Sequence, residues 1–155
     1  MRRYLFLIFM AASIAGCSSP RYSAEPIAAT DMSSVITIVR DDATRGFFLT
    51  QMESWCRDNG YDCTVVPDGT QHNPADLTLE YVSRWSWDFR PYLGDATISA
   101  YKDKRRVGTA RYKASNNLNA SKWGDDSRRI EMLLQILVGN VTLKEANSQL
   151  SAGNL

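Results

Sequence analysis

The sequence predicts a two-layer α+β domain, with a mixed sheet of about five strands and helices on one face. Three observations carry that expectation. A β-branched run at 35–39, a helical pattern and a second short strand make one strand–helix–strand unit. A long alternating segment at 77–89 and two further strand patterns make a three-strand antiparallel meander. An apolar stripe at helical spacing over 125–141 supplies a cover for the sheet.

Val35-Ile36-Thr37-Ile38-Val39 reads as a buried strand. Asp41, Asp42 and Thr44 offer oxygens for a helix N-cap. In the helix that follows, Phe48, Met52 and Trp55 share a face, and Asn59-Gly60 ends it. Residues 61–66 form the second strand, and a right-handed crossover sets it parallel to the first. Residues 67–75 read as a polar loop holding the single histidine, His72, which is expected to be solvated.

Leu77, Leu79, Tyr81, Ser83, Trp85, Trp87 and Phe89 alternate with Thr78, Glu80, Val82, Arg84, Ser86 and Asp88. This is one long strand with an apolar and a polar face. Arg90-Pro91 turns the chain, residues 93–102 return, and 106–113 follow a three-residue turn. Matching large residues to small sets the first register: Phe89 opposite Tyr92, Trp87 opposite Gly94, Trp85 opposite Ala96. In the next hairpin Ala100 faces Gly108, Ile98 faces Ala110 and Ala96 faces Tyr112. Ile130, Leu133, Leu134, Leu137, Val138 and Val141 make the cleanest helical stripe in the chain. Asp125 and Asp126 favour its N-terminus, Gly139-Asn140 interrupts it, and 143–150 is a short further helix.

The chain begins MRRYLFLIFMAASIAGC. Two arginines precede an apolar run too short to span a bilayer as a mature helix. Its end, Ile14-Ala15-Gly16-Cys17, resembles a bacterial lipobox. That resemblance implies cleavage before Cys17, a lipid on its thiol, and anchoring by several acyl chains. In bacterial lipoproteins an Asp after the cysteine is the usual inner-membrane retention signal. Ser18 stands there, which implies the outer membrane, facing the periplasm. The expected organisation is a signal peptide over 1–16, a lipidated flexible tether over 17–34 and a single periplasmic domain over 35–150.

With Cys17 used by lipid, Cys56 and Cys63 remain, and in an oxidising periplasm such a pair is expected to form a disulfide. A metal site at this pair would lack further ligands of the usual kinds, since the chain has one histidine. Removing 1–16 takes two of the 18 basic residues and none of the 17 acidic ones, leaving a formal charge of −1. No electrostatic footprint for nucleic acid is expected on such a domain. There is no G-x-S-x-G elbow, Walker loop or G-x-G-x-x-G. The expectation is a protein that is not an enzyme and carries no cofactor.

RWSWDFRPY, at 84–92, interleaves two tryptophans, a phenylalanine and a tyrosine with three charges. A strand this long outruns one covering helix, so its far end either caps the core, with Trp123 packed among the rings, or forms an exposed patch. In the second reading Arg84, Trp85, Trp87, Phe89, Arg90 and Tyr92 make a partner-binding surface, since Trp, Tyr and Arg are common anchors. The basic residues Lys102, Lys104, Arg105 and Arg106 read as a solvated hairpin tip.

The element order resembles that of small α/β envelope lipoproteins, such as the amino-terminal domain of TolB and the transport-auxiliary lipoproteins. The resemblance rests on no residue motif. The expected function is a lipid-anchored accessory or adaptor subunit of an envelope protein complex. The alternatives are a carrier of a small lipid or glycan ligand, with a pocket lined by Trp85, Trp87 and Trp123, and a periplasmic inhibitor or immunity protein.

Overall fold

The computed structural model describes residues 21–115, 120–153 and 155. The fold is α+β: a six-stranded mixed sheet with three helices packed on it. The strands are β1 (Arg21–Glu25), β2 (Val35–Val39), β3 (Asp62–Val66), β4 (Leu77–Asp88), β5 (Arg90–Lys102) and β6 (Arg105–Lys113). The helices are α1 (Gly46–Asp58), α2 (Asp126–Leu137) and α3 (Leu143–Ser151). Two short 3-10 turns lie at Ala29–Asp31 and Ala120–Trp123.

The spatial order is β1-β6-β5-β4-β2-β3, antiparallel except that β2 runs parallel to both β3 and β4. The β-branched run makes β2 because both its flanks are paired and Ile36, Ile38 and Val39 are buried. The stripe read for α2 buries Ile130, Leu133, Leu134 and Leu137. The small Ala96, Ala100 and Ala110 on the sheet face, all buried, let that helix lie close. Phe48 of α1 stacks on Tyr81 of β4 at 5.1 Å, which joins the crossover helix to the meander.

Two connections differ from expectation. The sixth strand, β1, comes from the stretch expected to be a tether. Residues Arg21 to Glu25 pair antiparallel with β6, Tyr22 is buried on Tyr112 at 5.3 Å, and Ile27 is buried with its N–H donating to Leu137 O at 2.8 Å. The exposed edge of β1 is capped by α3, where Asn147 accepts from Tyr22 N at 2.8 Å and donates to Tyr22 O at 3.2 Å. Gly108 lies beneath this segment. A Cβ there would stand 2.7 Å from Ile27 Cγ1, so glycine is needed for the chain to close over the sheet. Of the expected 17–34 tether, residues 21–34 therefore belong to the domain, and 17–20 lie outside the described residues with the signal segment and Cys17.

The β4–β5 register also differs. Trp87 pairs with Pro91, Trp85 with Leu93, Ser83 with Ala96 and Tyr81 with Ile98. The expected pairs Phe89–Tyr92, Trp87–Gly94 and Trp85–Ala96 do not form, because the hairpin turns more tightly, at Phe89, and Gly94 is extra in a bulge. The bulge puts both Leu93 and Ala96 toward the helices, where both are fully buried. The β5–β6 register is the expected one, reached through Asp103 and Lys104 in left-handed conformation and a bulge at Val107.

Cys56 and Cys63 form a disulfide, with Cα atoms 6.1 Å apart, pinning the last turns of α1 to the start of β3. The loop it closes holds eight residues, so reduction is expected to cost about 2–3 kcal/mol in urea denaturation with and without reductant. An unchanged midpoint would mean that the α1–β3 corner is held by packing alone.

Asp125 caps α2, accepting from Ser127 N at 2.9 Å and Arg128 N at 3.3 Å. Asp41, Asp42 and Thr44 do not cap α1, which begins at Gly46 without a side-chain cap. Instead Asp41 ties its own turn through Ala43 N and Thr44 Oγ1, and Thr44 Oγ1 accepts from Ser83 N at 3.0 Å. That bond fastens the entry of α1 to β4. The β3–β4 loop crosses β2 on the face opposite α1. There His72 is half-buried, its ring 4.7 Å from that of Tyr101 and its Nε2 2.8 Å from Glu80 Oε1, so it is not the solvated residue expected.

Candidate contact surface

The β4–β5 hairpin runs past the helical layer and turns at Phe89, which has φ 60°. A phenylalanine in left-handed backbone costs on the order of 1–2 kcal/mol that glycine would avoid. The large ring is thus held at the apex against local preference. Phe89 is 79% exposed and Trp87 is 73% exposed.

The tip is a braced structure. Asp88 forms an ion pair with Lys122, which is only 4% exposed, and Asp88 O accepts from Trp123 Nε1 at 3.0 Å. Arg90 donates to Trp123 O and lies over the Trp123 ring at 5.8 Å. The Phe89 ring meets Trp123 edge-on at 6.4 Å. Asp126, at the start of α2, accepts from Leu93 N at 3.3 Å. These bonds hold the two strands of the tip to the Ala120–Trp123 turn, so Trp87 and Phe89 project from a fixed base.

The six residues proposed from sequence divide into three groups. Trp87, Phe89 and Arg90 meet at the tip and are exposed. Trp85 and Tyr92 pack inward. Trp85 lies against Phe47 at 6.0 Å with the Arg45 guanidinium 4.8 Å above its ring, and Tyr92 lies under Lys122 at 5.4 Å. Arg84 is exposed on the opposite face of the sheet. Trp85 and Tyr92 therefore pack against the core, whereas Trp87 and Phe89 stand exposed beyond it.

Sequence reasoning missed two features. Lys122 supports the tip from beneath, and no local pattern announces it. A basic cluster also lies on the uncovered face of the sheet. Arg21, Lys113, Asp95 and Arg84 stand in one cross-strand row, and Arg111 in the next row pairs with Asp95 at 2.6 Å. The alternation of Arg111 and Lys113 around buried Tyr112 carried that signal. The expected basic hairpin at 102–106 lies at the other end of the sheet, where Lys102 donates to Asp31 O at 3.3 Å and Arg106 pairs with Glu25 at 3.6 Å.

A cavity of about 490 Å³ between α2 and α3 is lined by residues including Arg128, Met132, Val141 and Leu155, and not by Trp85, Trp87 or Trp123. Among the described residues no group of His, Cys, Asp or Glu side chains is placed to hold a metal ion, and no helix is long and apolar enough to cross a membrane.

No protein-family model matches this chain, and no curated protein matches it. Among solved structures, a minor lipoprotein from Acinetobacter baumannii aligns at a TM-score of 0.30 with 14% identity, over 79% of this chain and 93% of that one. The functional reading rests on the chain's own residues.

Proposed function

We propose that the chain is the precursor of a lipid-anchored lipoprotein of the bacterial outer membrane, facing the periplasm, with a non-catalytic accessory role in a cell-envelope complex. The tip of the β4–β5 hairpin is the surface by which it engages other envelope components. The lipobox at 14–17 supports the anchor. The observation that carries the contact surface is the braced tip with two large rings turned out to solvent. Neither ring completes the core, and one occupies a backbone conformation that a phenylalanine adopts at a cost.

A photo-crosslinking residue in place of Trp87, in the lipidated protein within intact envelopes, tests this reading. Discrete intermolecular adducts are expected, whatever their chemical class. Adducts confined to the domain itself would show that the tip touches nothing and that the contact lies on another face. The accompanying variant Trp87→Ala is expected to unfold within about 0.5 kcal/mol of the parent, as suits a surface position.

A further inference from the structure

We infer that the hairpin tip rests on the phospholipid surface of the leaflet that holds the protein's own lipid anchor. Trp87 and Phe89 dip to the headgroup–acyl boundary, and the basic row beside them faces the phosphates. This deepens the proposed function and depends on lipidation at Cys17.

The first argument is the length of chain available. With β1 beginning at Arg21, only three residues, Ser18, Ser19 and Pro20, separate it from Cys17. The four residue-to-residue steps from Cys17 to Arg21, fully extended, reach about 14 Å. A tether running to residue 34 would have let the domain stand well clear of the bilayer, whereas this one holds the Arg21 end of the sheet beside it.

The second argument is which end that is. Arg21 pairs with Lys113, Lys113 with Asp95, and Asp95 with Arg84. At that row β1 begins, β6 ends, and β4 runs on through Trp85 to Asp88 before turning. Four residues of strand carry the tip about 13 Å beyond the row, close to the reach of the lipid-linked segment. The exposed rings therefore lie at the end of the sheet that the anchor draws to the membrane.

The third argument is chemistry. Tryptophan and phenylalanine above arginine and lysine are the composition of surfaces that settle at a bilayer interface. Arg21, Arg84, Arg90, Arg111 and Lys113 are exposed at or near this end, and the acidic partners there are already engaged, Asp95 with Arg111 and Asp88 with Lys122. The domain as a whole is close to neutral, so the cluster is a local excess that suits phosphate groups.

The test uses the full-length lipidated protein in vesicles of phosphatidylethanolamine and phosphatidylglycerol, with lipids brominated at shallow chain positions as quenchers. Wild-type emission should be quenched, and Trp87→Phe should lose at least half of the quenchable signal. Arg84→Gln combined with Lys113→Gln should lower the quenching when phosphatidylglycerol is present and leave it unchanged in its absence. Equal quenching in wild type and Trp87→Phe would overturn the membrane contact. So would a single protein adduct from position 87 in intact envelopes, an outcome that leaves the tip standing as a contact surface for a protein. Failure of the wild-type protein to float with vesicles would remove the anchor, and both readings would fall.

Discussion

Tyr22→Ala is expected to destabilise the domain by about 3 kcal/mol, the usual cost of deleting a buried aromatic ring. Tyr22 is 2% exposed and packs on Tyr112, and its backbone is fastened to Asn147 on one side and to β6 on the other. Tyr22→Phe should lie within about 1 kcal/mol of the parent or slightly above it. The buried hydroxyl has no hydrogen-bond partner among the described residues, and burial raises its pKa far above the usual tyrosine value, so removing it leaves nothing unpaired. Urea denaturation of the three proteins checks both expectations. A loss under about 1 kcal/mol for the alanine variant would mean that residues 21–34 are the loose tether their composition suggests. The consequence reaches the membrane. With β1 undocked, the link from Cys17 would run to β2 at Val35, and the tip should lose its quenching by brominated lipid while the protein stays anchored.

Arg129→Met should cost about 3–4 kcal/mol at neutral pH, in the range for breaking a buried ion pair from one side. Arg129 is fully buried. It donates to Lys122 O and Asp126 Oδ1, both at 2.9 Å, and its guanidinium lies 5.3 Å from the centre of the Tyr112 ring. It thereby ties α2, the Ala120–Trp123 turn and the sheet into one corner beneath the hairpin tip. Burial raises the Asp126 carboxyl above the usual value, while Arg129 and the Leu93 N–H pull it down. A carboxyl raised in the folded state binds its proton more readily folded than unfolded. Its charged form therefore costs stability at neutral pH, and that cost disappears as pH falls through the folded value toward the unfolded one. Without Arg129 the carboxyl rises further and the window widens upward. The deficit of Arg129→Met should shrink as pH falls from about 7 to about 4. Adding Asp126→Asn should recover part of it at neutral pH. A deficit that ignores both pH and the second substitution would show that Arg129 acts by packing alone.

The two variants bear on the site differently. Under the proposed anchoring Tyr22 sets how far the domain can stand from Cys17, and Arg129 braces the corner beneath the tip. The tip itself was partly legible in the sequence. Nearly unbroken alternation from Leu77 to Phe89 shows a strand too long for its cover, so an aromatic end that is buried or displayed follows from local pattern. Which rings do which does not. Trp85 and Tyr92 turn inward because Phe47 and Lys122, distant in sequence, come to lie against them. The size-matching register failed because a glycine bulge, invisible to pairwise matching, lets Leu93 and Ala96 share a face.

The sequence by itself determined the strands and α-helices between Val35 and Ser151, the face that each long one buries, the β5–β6 register and the Cys56–Cys63 pair. Long runs report their burial through period, and a close pair of cysteines needs little beyond proximity. The tertiary structure alone decided that RYSAE is a strand. Five residues between prolines carry too little periodicity to declare themselves, and they are extended because β6 offers a free edge and Asn147 closes the other side. A short edge strand takes its conformation from its neighbours, and under the proposed lipid anchoring that decision also sets the distance between the domain and Cys17.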